Sequence, residues 1–324
     1  MKNLAIAGLG YWGQTLIGSV QGASELVRFG VGVARKPETV RALAERRGMH
    51  IVDSLDAALA MSDVDGIVLT TPDRLHAQQV IAAARAGKPV LVEKPFTLDR
   101  ASAELAIAEA KRAGTLVAFA HNRRFLPAVA EMRARIEAGR IGRILHVEGN
   151  FSSGYGLRFK PGMWRADSAD TVAGGMTGMG IHHMDLMILL AGAFERVQAK
   201  GRRQLLEVDV MDNVTASIDF ASGATGSFAT LITTSPIWRL RILGSKGWIE
   251  MLGETVLISA EGNDPVQQIT YPAVSTERME LEAFARAIDG EPYPVSVADA
   301  LHGVSVLEAI AASARDGQPR DVEA

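Results

Sequence analysis

The chain has no cysteine, few aromatic residues (6%), and no surplus of charge of either sign: 34 lysines and arginines stand against 37 aspartates and glutamates, a net charge of −3 over 324 residues. Without cysteine there is no disulfide, thiol nucleophile or cysteine–zinc site. That composition fits a reducing compartment, so a cytoplasmic protein is expected. With no basic surplus, no nucleic-acid partner is expected. The longest apolar run, Leu186–Phe194, is far shorter than the roughly 20 residues of a spanning helix, so no membrane partner is expected either. Met1–Gly8 imitates a signal peptide, but its apolar core is too short and runs straight into glycines, as a first β-strand would. What is present is a 48% apolar fraction, enough for a sizeable core and too much for disorder. At about 150 residues per domain, the length suggests two domains.

The first third alternates strand and helix signals. Short apolar runs at Leu4–Gly8, Phe29–Ala34, Ile51–Val52, Gly66–Thr71, Pro89–Glu93 and Leu116–Ala120 predict strands. Between them lie helical spacings from Trp12, from Pro37, and over Leu55–Met61, Leu75–Ala86 and Arg100–Ala113. Such alternation makes right-handed βαβ units and a doubly wound parallel sheet covered on both faces. After about residue 122 the pattern changes. A helix over Pro127–Ala138 precedes strand-like runs at Ile144–Phe151, Asn213–Phe220, Ala224–Ile232, Trp238–Leu243, Trp248–Met251 and Thr255–Ser259. Short glycine-containing links, Ser222-Gly223 and Ser245-Lys246-Gly247, read as hairpins. This predicts an α+β domain with an open, mainly antiparallel sheet, closed by helices near Arg278–Ile288 and Ser296–Arg315. The expected domains are 1–122 and 123–324, with the closing helices free to pack back toward the first.

Gly8-Leu9-Gly10-Tyr11-Trp12-Gly13 follows the first strand and opens a helix, the context a G-x-G-x-x-G turn needs to bind a dinucleotide. Gly8 allows the tight turn, Gly10 the approach of a pyrophosphate, and Gly13 close helix–strand packing. Tyr11 and Trp12 lie within the same turn. At the end of the second strand, where a carboxylate would bind a ribose 2′-hydroxyl, the chain carries Arg35 and Lys36. Two cations favour a 2′-phosphate and hence NADP. Read as plain solvated surface charges, they leave NAD open.

In a parallel sheet ligands sit beyond the carboxyl ends of the strands. Thr71-Pro72 with His76, and Glu93-Lys94-Pro95, fall at two such ends. Taken with Gly174-Gly175 and Gly180-Ile181-His182-His183-Met184-Asp185 further on, they occur in order at a spacing that resembles the Gfo/Idh/MocA family of sugar and polyol oxidoreductases. The likeness extends over His121–Phe125 and the Leu243–Trp248 hairpin. It implies a Rossmann domain, a second domain whose open sheet makes homodimer or homotetramer contacts, and a nicotinamide meeting a sugar or polyol in the cleft between them. By position, Lys94 matches the lysine that binds the reacting hydroxyl and helps move its proton, and His182 matches the acid/base histidine. Thr71, Pro72, His76 and Glu93 are then expected near the cofactor, and Asn122 and Arg123 near the substrate.

One departure bears on the chemistry. The family's common pattern has an aspartate four residues before the histidine, and here Gly178 stands there. A glycine neither orients an imidazole nor accepts its proton. Asp185 shares the face of His182 if the segment is helical, and both Asp185 and His183 are candidate substrate groups. No third ligand joins His182 and Asp185, so no metal site is expected. Trp164 and Arg165 offer an aromatic face and a guanidinium suited to a sugar ring, or equally to interface packing. The expected function is an NADP-preferring oxidoreductase moving a hydride between nicotinamide and a sugar, polyol or related cyclic alcohol. The alternatives are a redox-neutral enzyme that retains its dinucleotide, of glycosidase or isomerase type, and a non-catalytic dinucleotide sensor.

Overall fold

The computed structural model describes residues Met1–Ala324. In chain order the first elements are β1 (Lys2–Ala7), α1 (Tyr11–Val20), β2 (Val27–Val33), α2 (Arg41–Arg47), β3 (His50–Val52), α3 (Leu55–Leu59), β4 (Gly66–Leu69), α4 (His76–Arg85), β5 (Val90–Val92), α5 (Arg100–Ala113) and β6 (Val117–Phe119). Then follow α6 (Pro127–Glu137), β7 (Ile144–Ser152), α7 (Ile181–Ala191), β8 (Phe194–Arg202), β9 (Asn213–Phe220) and β10 (Thr225–Leu231). The chain ends with β11 (Ile237–Gly244), β12 (Gly247–Leu252), β13 (Val256–Glu261), β14 (Gln267–Thr270), α8 (Thr276–Ile288), α9 (Val297–Asp316) and β15 (Arg320–Asp321). The helices expected from Pro37 and from Leu75 each begin as 3-10 turns, Pro37–Val40 and Asp73–Leu75, before continuing as α2 and α4.

The chain divides into two compact units. The first comprises Met1–Thr97, Ala101–Asn122 and a returning segment, Ser275–Val297. Its sheet has the order β3-β2-β1-β4-β5-β6, all parallel. The order reverses between β1 and β4, which opens a ligand crevice at their carboxyl ends. Leu4, Ile6, Phe29, Val68 and Leu91 from the strands meet Leu16, Ile17 and Val20 of α1 in one core. Leu281, Phe284 and Ala285 of α8 belong to that core too, so the returning helix serves the first unit's sheet.

The second unit holds Leu98–Arg100, Arg123–Val274 and Ala298–Ala324. Its nine-stranded sheet has the order β14-β13-β12-β11-β7-β10-β9-β8-β15. The pairs are antiparallel except β7 with β10, which run parallel. Val147, Phe228, Leu240, Ile242 and Ile249 face helices α6, α7 and α9 in a core that includes Met132, Met187, Val306 and Ile310. Helix α9 is long and apolar enough to cross a membrane by length and composition, but 67% of that window is buried inside the protein, as expected of a core helix.

Candidate active site

The glycine turn between β1 and α1 is built for close approach. Gly8 has φ +102°, and a Cβ there would lie 2.5 Å from the Thr70 carbonyl oxygen. A Cβ on Gly13 would lie 2.0 Å from the Gly8 carbonyl, so α1 packs on the turn only because residue 13 is glycine. Around Gly10 the reverse holds: an added Cβ would meet nothing within 4 Å. No side chain caps the start of α1, so its first N–H groups are left for an anion. Open backbone at Gly10, uncapped amides and tight packing at Gly8 and Gly13 fit a dinucleotide pyrophosphate. Tyr11 is 86% exposed at this helix start. Arg35 and Lys36 are exposed just past the end of β2.

Three neighbouring turns are fastened to one another. The Trp12 indole N–H donates to the Glu93 carboxylate, tying α1 to the turn after β5. The other Glu93 oxygen accepts the Lys94 backbone N–H at 3.1 Å. His76, fully buried, sets its ring nitrogens 2.9 Å from the Pro95 carbonyl and 3.0 Å from the Thr71 carbonyl, so it bridges the turns after β4 and β5. Burial holds its imidazole below the ordinary value, while the two carbonyls pull the other way. Thr71 Oγ1 is hydrogen-bonded to Gln79 Oε1 at 2.5 Å. His76, expected beside the cofactor, therefore has no surface for one: it places Thr71-Pro72 and Lys94-Pro95. The Trp12 N–H and the Glu93 carboxylate likewise fix the turns rather than project from them. Lys94 is half-buried at the carboxyl end of β5, joined to Pro95 by a cis peptide.

In the second unit, Met176–Gly180 forms a π-helical turn that feeds directly into α7. His182 lies in the first turn of α7, 7% exposed, with the Phe151 ring centroid 6.2 Å from its own.

His183 has a different fate from the expected substrate contact. It is fully buried, stacked on Phe228 at 5.7 Å and 5°. Its Nδ1 accepts the Trp238 indole N–H at 3.1 Å, so the proton sits on Nε2, which donates to the Arg239 carbonyl at 3.1 Å. Both nitrogens are spent inside the unit. Burial pushes this imidazole down to about 3, against the pull of the Arg239 carbonyl. The unfolded chain ionises it near 6.5, so between those values the unfolded state binds more protons and acid destabilises the fold. Protonation of this side chain in the unfolded chain therefore weakens the fold progressively as pH falls from 6.5 toward 3. A His183→Gln variant, less stable overall, is expected to show a shallower fall in its urea midpoint between pH 6.5 and 4.5 than the parent. Parallel curves would contradict this assignment.

Asp185 is likewise withdrawn from the substrate. Its carboxylate accepts Arg124 Nη2 at 2.7 Å and Nε at 3.0 Å, and the two side chains are 4% and 3% exposed. Asp299 adds a second contact to Arg124 at 2.8 Å. Burial works against the Arg124 charge, but the two carboxylates win and raise its pKa above the ordinary value. Asp185 is thus one half of a buried ion pair, although it does lie one helical turn from His182.

Two models of one family match the chain: residues 2–121 match "Oxidoreductase family, NAD-binding Rossmann fold" and residues 129–250 match "GFO/IDH/MocA C-terminal domain". The chain belongs to the Gfo/Idh/MocA oxidoreductases. Among relatives, it is 29% identical to a scyllo-inositol 2-dehydrogenase (NAD(+)) of Bacillus subtilis (strain 168), across 97% of this chain and 94% of the relative. It is 27% identical to a 1,5-anhydro-D-fructose reductase of Ensifer adhaerens, across 84% of each. A levoglucosan dehydrogenase structure, in complex with NADH and levoglucosan, shares the fold with a TM-score of 0.89 at 24% identity, covering 99% of both chains.

Within this Gfo/Idh/MocA oxidoreductase the remaining expected site residues are divided by the fold. Asn122 is 2% exposed, and its amide reaches Thr276 Oγ1 at 3.3 Å and Glu277 Oε1 at 3.2 Å, so it anchors the start of α8. Arg123 pairs with Glu254 at 2.5 Å and lies 5.6 Å from the Trp238 ring. Trp164 and Arg165 share a 3-10 turn, with the guanidinium 4.1 Å from the indole centroid. Motif spacing alone does not reveal the Trp12–Glu93 bond, although each residue lies in a recognisable turn. No local signal marks Trp238 as the partner of His183 either.

Proposed function

We propose that the protein is an NADP-preferring oxidoreductase that transfers a hydride between nicotinamide C4 and the carbinol carbon of a sugar, polyol or related cyclic alcohol. One observation carries most of the weight: the Trp12–Glu93 bond ties the glycine turn to the turn that bears Lys94, the next residue in the chain. This supports a reading in which the Lys94 side chain meets the substrate beside the nicotinamide. The relatives' names, an inositol dehydrogenase and an anhydrofructose reductase, point to cyclic polyols and sugars as the substrate class.

The dinucleotide supplies the hydride acceptor or donor when bound. Lys94 Nζ binds the reacting hydroxyl and takes its proton during oxidation, or returns it during reduction. His182 is the second proton-handling group. Glu93 and His76 hold Lys94 in place through their bonds to the backbone on either side of it.

The cofactor preference rests on Arg35 and Lys36, exposed at the end of β2 with neither side chain in an ion pair. Charge-assisted bonds to a 2′-phosphate favour NADP there. Fluorescence titration is expected to show NADPH binding at least tenfold more tightly than NADH. Replacing both cations, Arg35→Ser with Lys36→Ser, is expected to erase that margin. Equal or tighter binding of NADH by the parent protein would overturn the NADP preference and leave the oxidoreductase reading standing.

A further inference from the structure

The turn before His182 lacks a side chain at Gly178, and another residue occupies the space one would fill. A Cβ added at Gly178 meets a single neighbour within 4 Å, the Tyr155 hydroxyl oxygen at 3.3 Å. Position 178 precedes His182 by one turn, so the two share a helix face. The Tyr155 hydroxyl is therefore held against the face that carries the imidazole.

Tyr155 is placed there by several independent contacts. It opens a 3-10 turn, Tyr155–Arg158, just past the end of β7. On one side of it the Ser153 N–H donates to the Leu231 carbonyl, and on the other the Gly156 N–H donates to the Ile232 carbonyl, both at 2.8 Å. A Cβ on Gly156 would come within 2.7 Å of Ile232, so the turn lies this close to the end of β10 only with glycine there. Ser153 Oγ contacts Met179 Sδ at 3.2 Å, which joins the Tyr155 loop to the π-helical turn itself. The Tyr155 ring packs edge-on against Phe159 at 5.1 Å. Phe151, earlier on β7, already lies beside the His182 ring.

We propose that Tyr155 is a further substrate-binding residue, its hydroxyl hydrogen-bonding the sugar or polyol oxygen next to the one served by His182. A phenol hydroxyl both donates and accepts, which matches an alcohol oxygen, whereas a carboxylate only accepts and brings a charge. Gly178 is then the residue that makes room for the phenol. The proposal rests on the function proposed above and adds the group that grips the substrate beside the imidazole.

The test uses the full-length protein with the sugar alcohol it oxidises fastest. In Tyr155→Phe, which keeps the packing on Phe159, kcat/KM is expected to fall about 10- to 100-fold. The calorimetric Kd for the sugar alcohol rises with it, while NADPH affinity stays unchanged. Gly178→Ala, which the backbone tolerates but which presses a methyl group on the phenol oxygen, lowers kcat/KM in the same direction. In the double variant Tyr155→Phe with Gly178→Asp, activity recovers relative to Tyr155→Phe. The acid limb of its kcat/KM profile moves to higher pH, because an anion beside an imidazole favours the charged form. A Tyr155→Phe protein within twofold of the parent in both kcat/KM and sugar Kd, with the same pH profile, overturns the proposal and leaves the proposed function intact. A parent protein that binds dinucleotide yet neither binds nor oxidises any sugar alcohol overturns both.

Discussion

Lys94→Ala is expected to lower kcat by about 100- to 10,000-fold, the usual worth of a positioned proton-transfer group, while NADPH affinity changes less than twofold. The separation follows from the architecture. The surfaces that fit the dinucleotide are backbone at Gly8, Gly10 and Gly13 and the uncapped start of α1, and none of them needs the Lys94 side chain. Lys94→Arg should not rescue turnover, because a guanidinium keeps its proton and presents a planar fork in place of a point donor. Trp12, Glu93 and His76 remain in these variants, so the turn around residue 94 stays in place and the loss reports on the amine itself. Stopped-flow and steady-state measurement of cofactor reduction, beside a fluorescence titration of NADPH, separates the two effects. Near-parental kcat in Lys94→Ala would remove Lys94 from the chemistry.

The second large effect is on stability. Asp185→Ala takes the paired carboxylate away from the Arg124 guanidinium, which is 3% exposed, and leaves Asp299 at 2.8 Å. Removing one partner of a buried ion pair costs about 3–5 kcal/mol, because the remaining charge is left desolvated. At roughly 2–4 °C of Tm per kcal/mol for chains of this order of size, the transition should fall by about 10 °C. Below that transition the variant should still bind NADPH, since the glycine turn belongs to the first unit and Asp185 to the second. A contact between Asp185 and substrate would produce the opposite pattern, a raised KM at unchanged Tm. Differential scanning calorimetry with steady-state kinetics on the same preparation distinguishes the two outcomes.

These contrasts show which features the sequence carries on its surface. The βαβ half is legible because each strand is a short apolar run and each helix keeps its own period, and Arg100–Ala113 and Asn213–Phe220 have the expected bounds. Strand β8 is not legible because its inward positions include Ala199 and Gly201, too small to mark an alternation, and its register shifts between Phe194 and Arg196. Strand β14 is not legible because it is a short edge strand with Ile269 as its one apolar residue. The amphipathic pattern of α8 reveals a helix but not which core its apolar face joins, and Leu281 and Phe284 join the first. The parallel pairing of β7 with β10 is equally silent, since it depends on strands far apart in the chain.

The site divides in the same way. The glycine turn can be read because its requirement is one of backbone clearance, set within a few residues. The roles of His183 and Asp185 cannot, because their partners Trp238 and Arg124 are 55 and 61 residues away. Both looked like chemistry and proved to hold the fold together. Tyr155 carries no motif at all, and only the space over Gly178 points to it.

The most direct measurement is absorbance at the reduced-nicotinamide band, with NADP⁺ and NAD⁺ each offered alongside inositols, aldoses, other polyols and sugar acids. The proposed function predicts cofactor reduction with at least one of them, faster with NADP⁺, and abolished in Lys94→Ala. A folded protein that binds dinucleotide and reduces none across the whole panel would contradict it.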